Sequence, residues 1–278
     1  MKETPKITVV TVTYNCKDTI EKTILNVLKQ TYPNIEYIII DGDSTDGTKE
    51  IIDRYSDHLA YYISEPDKGI YDAMNKGVRE ATGEWIIFRN SGDYFFSPST
   101  IEDVFKWYED KGEDLITGGT RFFEHDGYFD GYYSPASEEP CEKALFPHPS
   151  TFVRSRVQRN FPFLEMLKVS GDFYFFLNVV LHGGKYVCYP HLISLFDNED
   201  GTSLRQRVKG CWEKIVIAQT LGISDGSIKK IESEYKHVKV FSRPLQIIKK
   251  FKLTNRLYRS HLYPQWVVSS IEKTLANI

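Results

Sequence analysis

Three clusters of acids, amides and hydroxyls in this 278-residue chain follow directly on apolar runs. Asp41-Gly42-Asp43-Ser44-Thr45-Asp46-Gly47-Thr48 follows Ile38-Ile39-Ile40, Ser64-Glu65-Pro66-Asp67-Lys68-Gly69 follows Leu59–Ile63, and Asn90-Ser91-Gly92-Asp93 follows Trp85–Arg89. An apolar, β-branched run reads as a buried strand and the polar cluster behind it as the loop at its carboxyl end. Ligands of open α/β sheets bind at such ends. An acid there suits a donor-rich partner, such as the edge of a base or ribose hydroxyls; Asp41 either does this or caps a turn. Neither G-x-G-x-x-G nor G-x-x-x-x-G-K-[ST] occurs, so the site is neither a dinucleotide fingerprint nor a P-loop.

These clusters need a scaffold that ends its strands side by side. Ile7–Thr13 reads as a first strand. Ile20, Ile24, Val27 and Leu28 form a helical stripe opened by an Asp18-x-x-Glu21 capping box, and Tyr37–Ile40 reads as a second strand. A helix to about Tyr55, a strand at Leu59–Ile63, a helix carrying Ile70, Ala73, Met74, Gly77 and Ala81, a strand at Glu84–Arg89 and a helix capped by Ser99-x-x-Glu102 follow. Four strand–helix alternations predict a right-handed, Rossmann-like, mostly parallel central sheet flanked by helices. After Thr117 the pattern changes. Thr120–Phe123 and Tyr128–Tyr133 flank Asp126-Gly127 as a hairpin, Thr151–Val153 reads as a strand, Gly171–His182 as a helix, and Lys185–Tyr189 and Leu192–Phe196 as two short strands. From Ser203 the period is helical, so an α/β domain over 1–202 and a helical, basic extension over 203–278 are expected.

A formal charge of −3, with 41% apolar and 26% charged residues, fits a soluble globular protein and gives no case for nucleic-acid binding. Cys16, Cys141, Cys188 and Cys211 show neither metal-ligand spacing nor a disulfide framework. The opening residues lead straight into strand-like Ile7–Val10, and no apolar run approaches the roughly 20 residues of a bilayer span. A cytoplasmic chain is expected. Between Lys229 and Ser260, however, ten Lys and Arg stand against two Glu, interleaved with Phe241, Leu245, Ile248, Phe251, Leu257 and Tyr258. Such a stretch either lies on an anionic membrane surface, peripheral to its inner face, or completes the fold or a homo-oligomer.

Read in order, Val10-Thr11-Val12-Thr13-Tyr14-Asn15, Asp41–Thr48, SEPDKGIYDAMNKG over Ser64–Gly77, Asn90–Asp93 and Val169-Ser170-Gly171-Asp172-Phe173 resemble the family 2 glycosyltransferases. The resemblance spans roughly residues 1–202 and implies a GT-A fold that binds a nucleotide-sugar donor. It also implies a divalent cation (Mn2+ or Mg2+) and transfer of the sugar to an acceptor hydroxyl with inversion. UDP is the default nucleotide, and the acceptor is a glycan or lipid-linked molecule of surface polysaccharide or glycolipid assembly.

By the same resemblance Thr13, Tyr14 and Asp41 hold the nucleoside. Tyr14 stacks on the base, or is a core aromatic near the sheet edge. Asp67 contacts uridine or ribose, Lys68 meets the diphosphate or is a solvated charge, and Ser91 is a donor contact. Asp93 is the remaining carboxylate of the family's acidic metal motif, Asn90 and Gly92 standing where acids are common; one carboxylate suffices if diphosphate and water complete the shell. Otherwise Asp93 caps a turn. Asp72 and Asn75 share a helix face and either touch the donor or tie their helix to the metal loop. Asp172 matches the general base, kept charged by the helix dipole, or is a plain N-cap; Glu165 is the second candidate base. His148, between two prolines, faces the acceptor or metal site or is structural. Phe122, Phe123, Tyr128, Phe129, Tyr132 and Tyr133 stack on acceptor sugars or pack on the core. A nucleotidyltransferase would carry a Gly-rich, basic loop after the first strand, which Thr13-Tyr14-Asn15-Cys16 lacks. The thinned acidic motif leaves a non-catalytic sugar-nucleotide binder as the other reading.

Overall fold

The computed structural model describes residues 4–124, 127–133, 145–197, 206–223 and 229. The chain runs β1 (Ile7–Thr13), α1 (Ile20–Leu28), β2 (Ile35–Asp41), α2 (Thr48–Asp53), β3 (Tyr61–Ser64), α3 (Ile70–Glu80), β4 (Trp85–Phe88), β5 (Tyr94–Phe95) and α4 (Thr100–Trp107). It continues through β6 (Leu115–Glu124), β7 (Gly127–Gly131), β8 (Thr151–Arg154), α5 (Ser155–Asn160), α6 (Gly171–Leu181), β9 (Tyr186–Asp197) and α7 (Arg207–Thr220).

Side-chain alternation explains the layers. Ile7 and Val9 of β1, Tyr37 and Ile39 of β2, and Trp85 and Ile87 of β4 pack against α1, α2 and α4 through Ile20, Ile24, Ile52, Ile101 and Val104. Val10, Val12, Ile38, Ile40, Ile86 and Phe88 point the other way, to a core shared with α3, α5, α6 and α7. Both faces are covered, which is why these strands read as unbroken apolar runs. α3 lies tight on β1 because Gly77 has no Cβ to strike the Val10 side chain.

Among the described residues the sheet order is β3-β2-β1-β4-β8-β6-β9-β5, with β7 on β6. The first four strands are parallel, as the alternation predicts. Beyond β4 the sheet is mixed: β8 runs antiparallel to both β4 and β6, while β6 and β9 are parallel. Thr13, Asp41 and Ser64 align across β1, β2 and β3, and Val10 aligns with Phe88 of β4. The chain leaves β1 toward β2 on one side and returns to β4 on the other, which opens a crevice at the carboxyl ends of β1 and β4.

Several local expectations are corrected. Neither predicted capping box forms: the α1 N-cap is Thr19 without a side-chain cap, and Glu21 instead accepts from Arg54 and Tyr55. Ser99 is the α4 N-cap, but its hydroxyl goes to Asp103 and Glu102 accepts from Thr31. The two short strands predicted around Pro190 are one strand, β9, whose register against β6 jumps from Thr117↔Cys188 to Gly119↔Leu192. A bulge absorbs the residue that has no amide to donate. The 120s hairpin forms as expected.

The expected boundary at 202/203 falls outside the described residues, but α7 beyond it places Trp212, Val216, Ile217 and Ala218 in the same core as Phe175 and Leu177. The basic segment from Lys229 to Ser260 lies outside the described residues except for Lys229. Among the described residues no helix is long and apolar enough to cross a membrane.

Candidate active site

The loops behind β1 and β2 are knitted by side chains onto amides. Asp41 is fully buried, its carboxylate accepting from Ser44 N (2.9 Å), Ser44 Oγ (2.5 Å) and Ser64 Oγ (2.6 Å). Ser44 Oγ in turn accepts from Asn15 N (2.8 Å), and Asn15 Oδ1 accepts from Thr45 N (2.9 Å). Asn15 takes a left-handed φ of 50°, which turns the chain at the end of β1. Asp41 thus organises this rim, both of its oxygens accepting bonds from the chain. The groups left open are its neighbours. Tyr14 is 62% exposed, which rules out the core-aromatic alternative. A Cβ on Gly42 would stand 2.5 Å from Asp67 Oδ2 and 3.3 Å from the Tyr14 ring, so ring and carboxylate flank the same bare stretch of backbone. Asp67 Oδ1 is fixed by Gly69 N at 2.8 Å, and Thr13 Oγ1 is buried without a partner.

The loop behind β4 closes the crevice. Arg89 N and Ser91 N continue the ladder to Val10 O and Val12 O (2.8 and 3.2 Å), and Asp93 N closes a turn on Asn90 O at 2.8 Å. Ser91 Oγ and Gly92 N bind Thr19 Oγ1 and Thr23 Oγ1 at the start of α1 (2.9 and 3.0 Å). Ser91 is thus tied to the fold through its hydroxyl. Burial pushes the Asp93 carboxyl up to about 7, with the Arg89 guanidinium and the Asn90 backbone pulling the other way. Arg89 was not singled out from sequence. It is fully buried, lies 3.8 Å from the Phe95 ring centroid and donates Nη1 to Phe88 O and Pro149 O, leaving Nε and Nη2 unpartnered. An arginine flush with the end of Trp85-Ile86-Ile87-Phe88 was the available signal, because a buried cation needs a partner nearby.

Asp172 acts on His148 through its charge. The imidazole packs on Phe88, the last residue of β4 (ring centroids 5.1 Å apart), and on Phe163 and Phe176 (5.9 and 6.2 Å). Burial pulls its pKa below the usual 6.5, with Asp172 pulling up and Arg89 down, so it is neutral at pH 7 and its buried Nε2 has no partner. Its charge neighbours link Asp172 to Arg89, and Arg89 to Asp93. Asp172 itself is the second residue of α6, partly exposed, with Oδ1 on Phe173 N at 2.8 Å.

The segment before Asp172 is held from elsewhere. Asn75, expected at the donor or the metal loop, instead clamps Phe163: Nδ2 donates to its carbonyl (2.8 Å) and Oδ1 accepts its amide (3.0 Å). Asn75 thus ties α3 to the 161–173 segment through both ends of its amide. Tyr71 OH donates to Val169 O at 2.7 Å; burial first, then the charge of Asp172, push the phenol well above its usual range, so it keeps that proton. Its ring lies under Gly171, where a Cβ would approach within 2.7 Å. Lys68 Nζ meets Glu165 at 3.1 Å, which occupies the second candidate base, and Lys168 Nζ donates to Lys68 O at 2.8 Å. Glu213 of α7, a second residue missed from sequence, accepts from the amides of Lys168, Val169 and Ser170.

On the hairpin, Tyr128, Phe129 and Tyr132 are exposed and Phe122 stacks on Phe129 at 4.8 Å, whereas Tyr133 packs on Phe146 at 4.2 Å. The aromatic cluster thus divides between surface and core.

No group of three or more His, Cys, Asp or Glu able to hold a metal occurs among the described residues. The turn over Asn90–Asp93 does offer oxygen: the Asp93 carboxylate and Asn90 Oδ1, a buried acceptor without a partner. Hard oxygen donors of this kind fit Mn2+ or Mg2+ that takes its remaining ligands from a diphosphate and water.

The fold matches that of solved structures. S. aureus TarS 1-349, solved in complex with UDP-GlcNAc, superposes with a TM-score of 0.65 at 18% identity, covering 97% of this chain and 83% of that one. The mannosyltransferase PcManGT from Pyrobaculum calidifontis, solved with GDP-Man and Mn2+, gives 0.63 at 16% identity, covering 99% and 88%. In sequence, a PGL/p-HBAD biosynthesis glycosyltransferase of Mycobacterium bovis (strain BCG / Pasteur 1173P2) is 25% identical over 205 residues, 71% of this chain and 78% of the relative. Relatives of higher identity match over 43% or less of their own length. A family model described as Glycosyl transferase family 2 matches residues 8–175, from the first strand into the helix that carries Asp172, and this chain belongs to that family.

Proposed function

We propose that this chain transfers a sugar from a UDP-linked donor to a hydroxyl of a glycan or lipid-linked acceptor, with inversion, in assembly of a surface polysaccharide or glycolipid. What supports the reading is the crevice behind β1 and β4: Tyr14 and Asp67 flank Gly42 on one side, the Asn90–Asp93 turn follows β4 on the other, and His148, on which the charge of Asp172 acts, packs on the last residue of β4.

In this mechanism Tyr14 stacks on the base while Asp67 accepts from nucleoside donors. Asp41 acts one step back, holding the Ser44 and Ser64 loops in register. Asp93, with Asn90 Oδ1, would hold Mn2+ or Mg2+ against the diphosphate, where the cation offsets the negative charge growing on the leaving group. Burial favours the protonated form of Asp93 against the pull of Arg89, so cation affinity depends on the donor phosphates. Asp172 takes the proton of the acceptor hydroxyl as its oxygen attacks the anomeric carbon and the nucleoside diphosphate leaves from the opposite face. Neutral His148 orients that hydroxyl through Nε2.

A thermal-shift screen of sugar nucleotides tests the donor side: UDP-sugars should raise Tm with manganese and markedly less without it. No response to any nucleotide sugar would overturn the proposal. Asp172→Asn keeps shape and removes the proton acceptor, so it should bind donor normally and transfer about 10²–10⁴ more slowly. Transfer at the parental rate would remove Asp172 as the base. Slow release of free nucleotide by the parental protein separates an enzyme from a binder of sugar nucleotides.

A further inference from the structure

The geometry points to Glu213 as the positioning residue of the transfer step: a carboxylate on α7 that seats the Asp172 end of α6. This rests on Asp172 being the base.

A helix leaves its first amides without partners inside itself, and α6 has no side-chain cap of its own. The chain entering it, Lys168-Val169-Ser170, presents three successive amides to a single side chain. Glu213 Oε1 accepts from Lys168 N at 2.9 Å, and Oε2 accepts from Val169 N at 2.9 Å and Ser170 N at 2.8 Å. Ser170 Oγ donates to Gly210 O of the same helix at 2.9 Å. Glu213 is 1% exposed, flanked by buried Trp212 and by Val216 and Ile217 one turn on. A buried carboxylate with both oxygens saturated by amides has little freedom, and the amides it holds end two residues before Asp172.

Nothing else described fixes this segment as tightly on that side. Tyr71 OH takes Val169 O, and its ring sits under Gly171. Glu213 and Tyr71 therefore hold opposite polar groups of Val169, its N–H and its C=O, and set the direction in which α6 begins. The donor rim is built by other residues: Asp41, Ser44, Ser64, Asn15 and the Asn90–Asp93 turn. Around Lys68 the two sides are joined by two links, Lys168 Nζ to Lys68 O and Lys68 Nζ to Glu165. Removing the clamp should consequently act on turnover much more than on donor affinity.

Glu213→Gln replaces one acceptor by an NH2 that faces amide donors. Misplacing a reacting group by about 1 Å can lower a rate about 10²-fold, so kcat should fall about 10- to 100-fold while the Kd for UDP with Mn2+, by calorimetry, stays within about threefold. Glu213→Asp keeps the carboxylate and should recover part of the loss, which a volume effect alone would not give. Gly210→Ala is the milder probe: its Cβ would come within 2.9 Å of Val169 Cγ1 and should lower kcat about 3- to 10-fold without touching the carboxylate. Should Glu213→Gln not fold, Gly210→Ala and Glu213→Asp decide the matter. Parental kcat in the folded variants overturns the inference, as does a loss of kcat matched by an equal loss of donor affinity. Asp172→Asn is run alongside. If it is inert while Glu213→Gln is parental, the clamp alone is wrong; if Asp172→Asn is active, the base assignment falls and the inference with it.

Discussion

The two walls of the crevice are built differently. The donor rim ends parallel strands in register, and its loops are tied by bonds that connect it to itself: Asp41 to Ser44 and Ser64, Ser44 to Asn15, Asp46 to Thr48. The segment over 161–173 contains no strand and borrows its shape from side chains far away in sequence, Asn75 for Phe163, Tyr71 for Val169 and Glu213 for the last three amides before α6. A rim set by sheet register is pre-formed. A segment hung on a few distant clamps is only as well placed as those clamps. Binding of donor and placement of the base should therefore be separable by mutation.

Two glycines make the sharpest test. Gly171→Ala drives a Cβ into the Tyr71 ring, 2.7 Å away, and should lower kcat about 10- to 100-fold with donor affinity near parental. Gly42→Ala pushes on Asp67 Oδ2 and the Tyr14 ring instead, and should weaken UDP binding several-fold with the chemical step less affected. If both variants lost affinity and turnover together, the two walls would be one unit. Acidification probes the donor wall through Asp93. Asp93, raised from 3.8 to about 7, holds a proton below that pH, and cation binding must displace it. Mn2+ affinity in the presence of UDP should then fall about tenfold per unit from pH 7 downward and level off above it, read by calorimetry. The same shift has a stability sign. Between 3.8 and about 7 the native state binds the proton that the unfolded chain has released, so the metal-free protein loses stability as pH rises through that window. The smallest effect is expected of Tyr71→Phe, which removes one bond to Val169 O and should cost about 0.5–1.5 kcal/mol in chemical denaturation.

What could be read from the sequence follows the same division. The strand ends, the Asp41 and Asn90–Asp93 loops and the Gly171-Asp172 step were legible because strand periodicity and local polar clusters carry them. The partners of Asp41 and Asn75 within the fold were not, since a carboxylate or an amide in a loop or helix looks alike whatever it bonds. Arg89 and Glu213 were hidden for a related reason. Each is a charge on an apolar surface, Arg89 closing a buried strand and Glu213 on the face of α7 that carries Val216 and Ile217, and the pattern says that a partner exists without saying where. The mixed half of the sheet was hidden because β8, β6 and β9 pair out of sequence order, and Pro190 reads as a break where the ladder only bulges.

That Glu213 lies on the last described helix also bears on biosynthesis. At about 5–20 residues per second, the ribosome releases the strand ends proposed to receive the nucleotide roughly ten seconds before the carboxylate proposed to seat the base. Because α7 packs Trp212, Val216 and Ile217 into the core that α6 shares, a product terminated ahead of it lacks part of that core, and the proposed base has no seat until α7 has emerged.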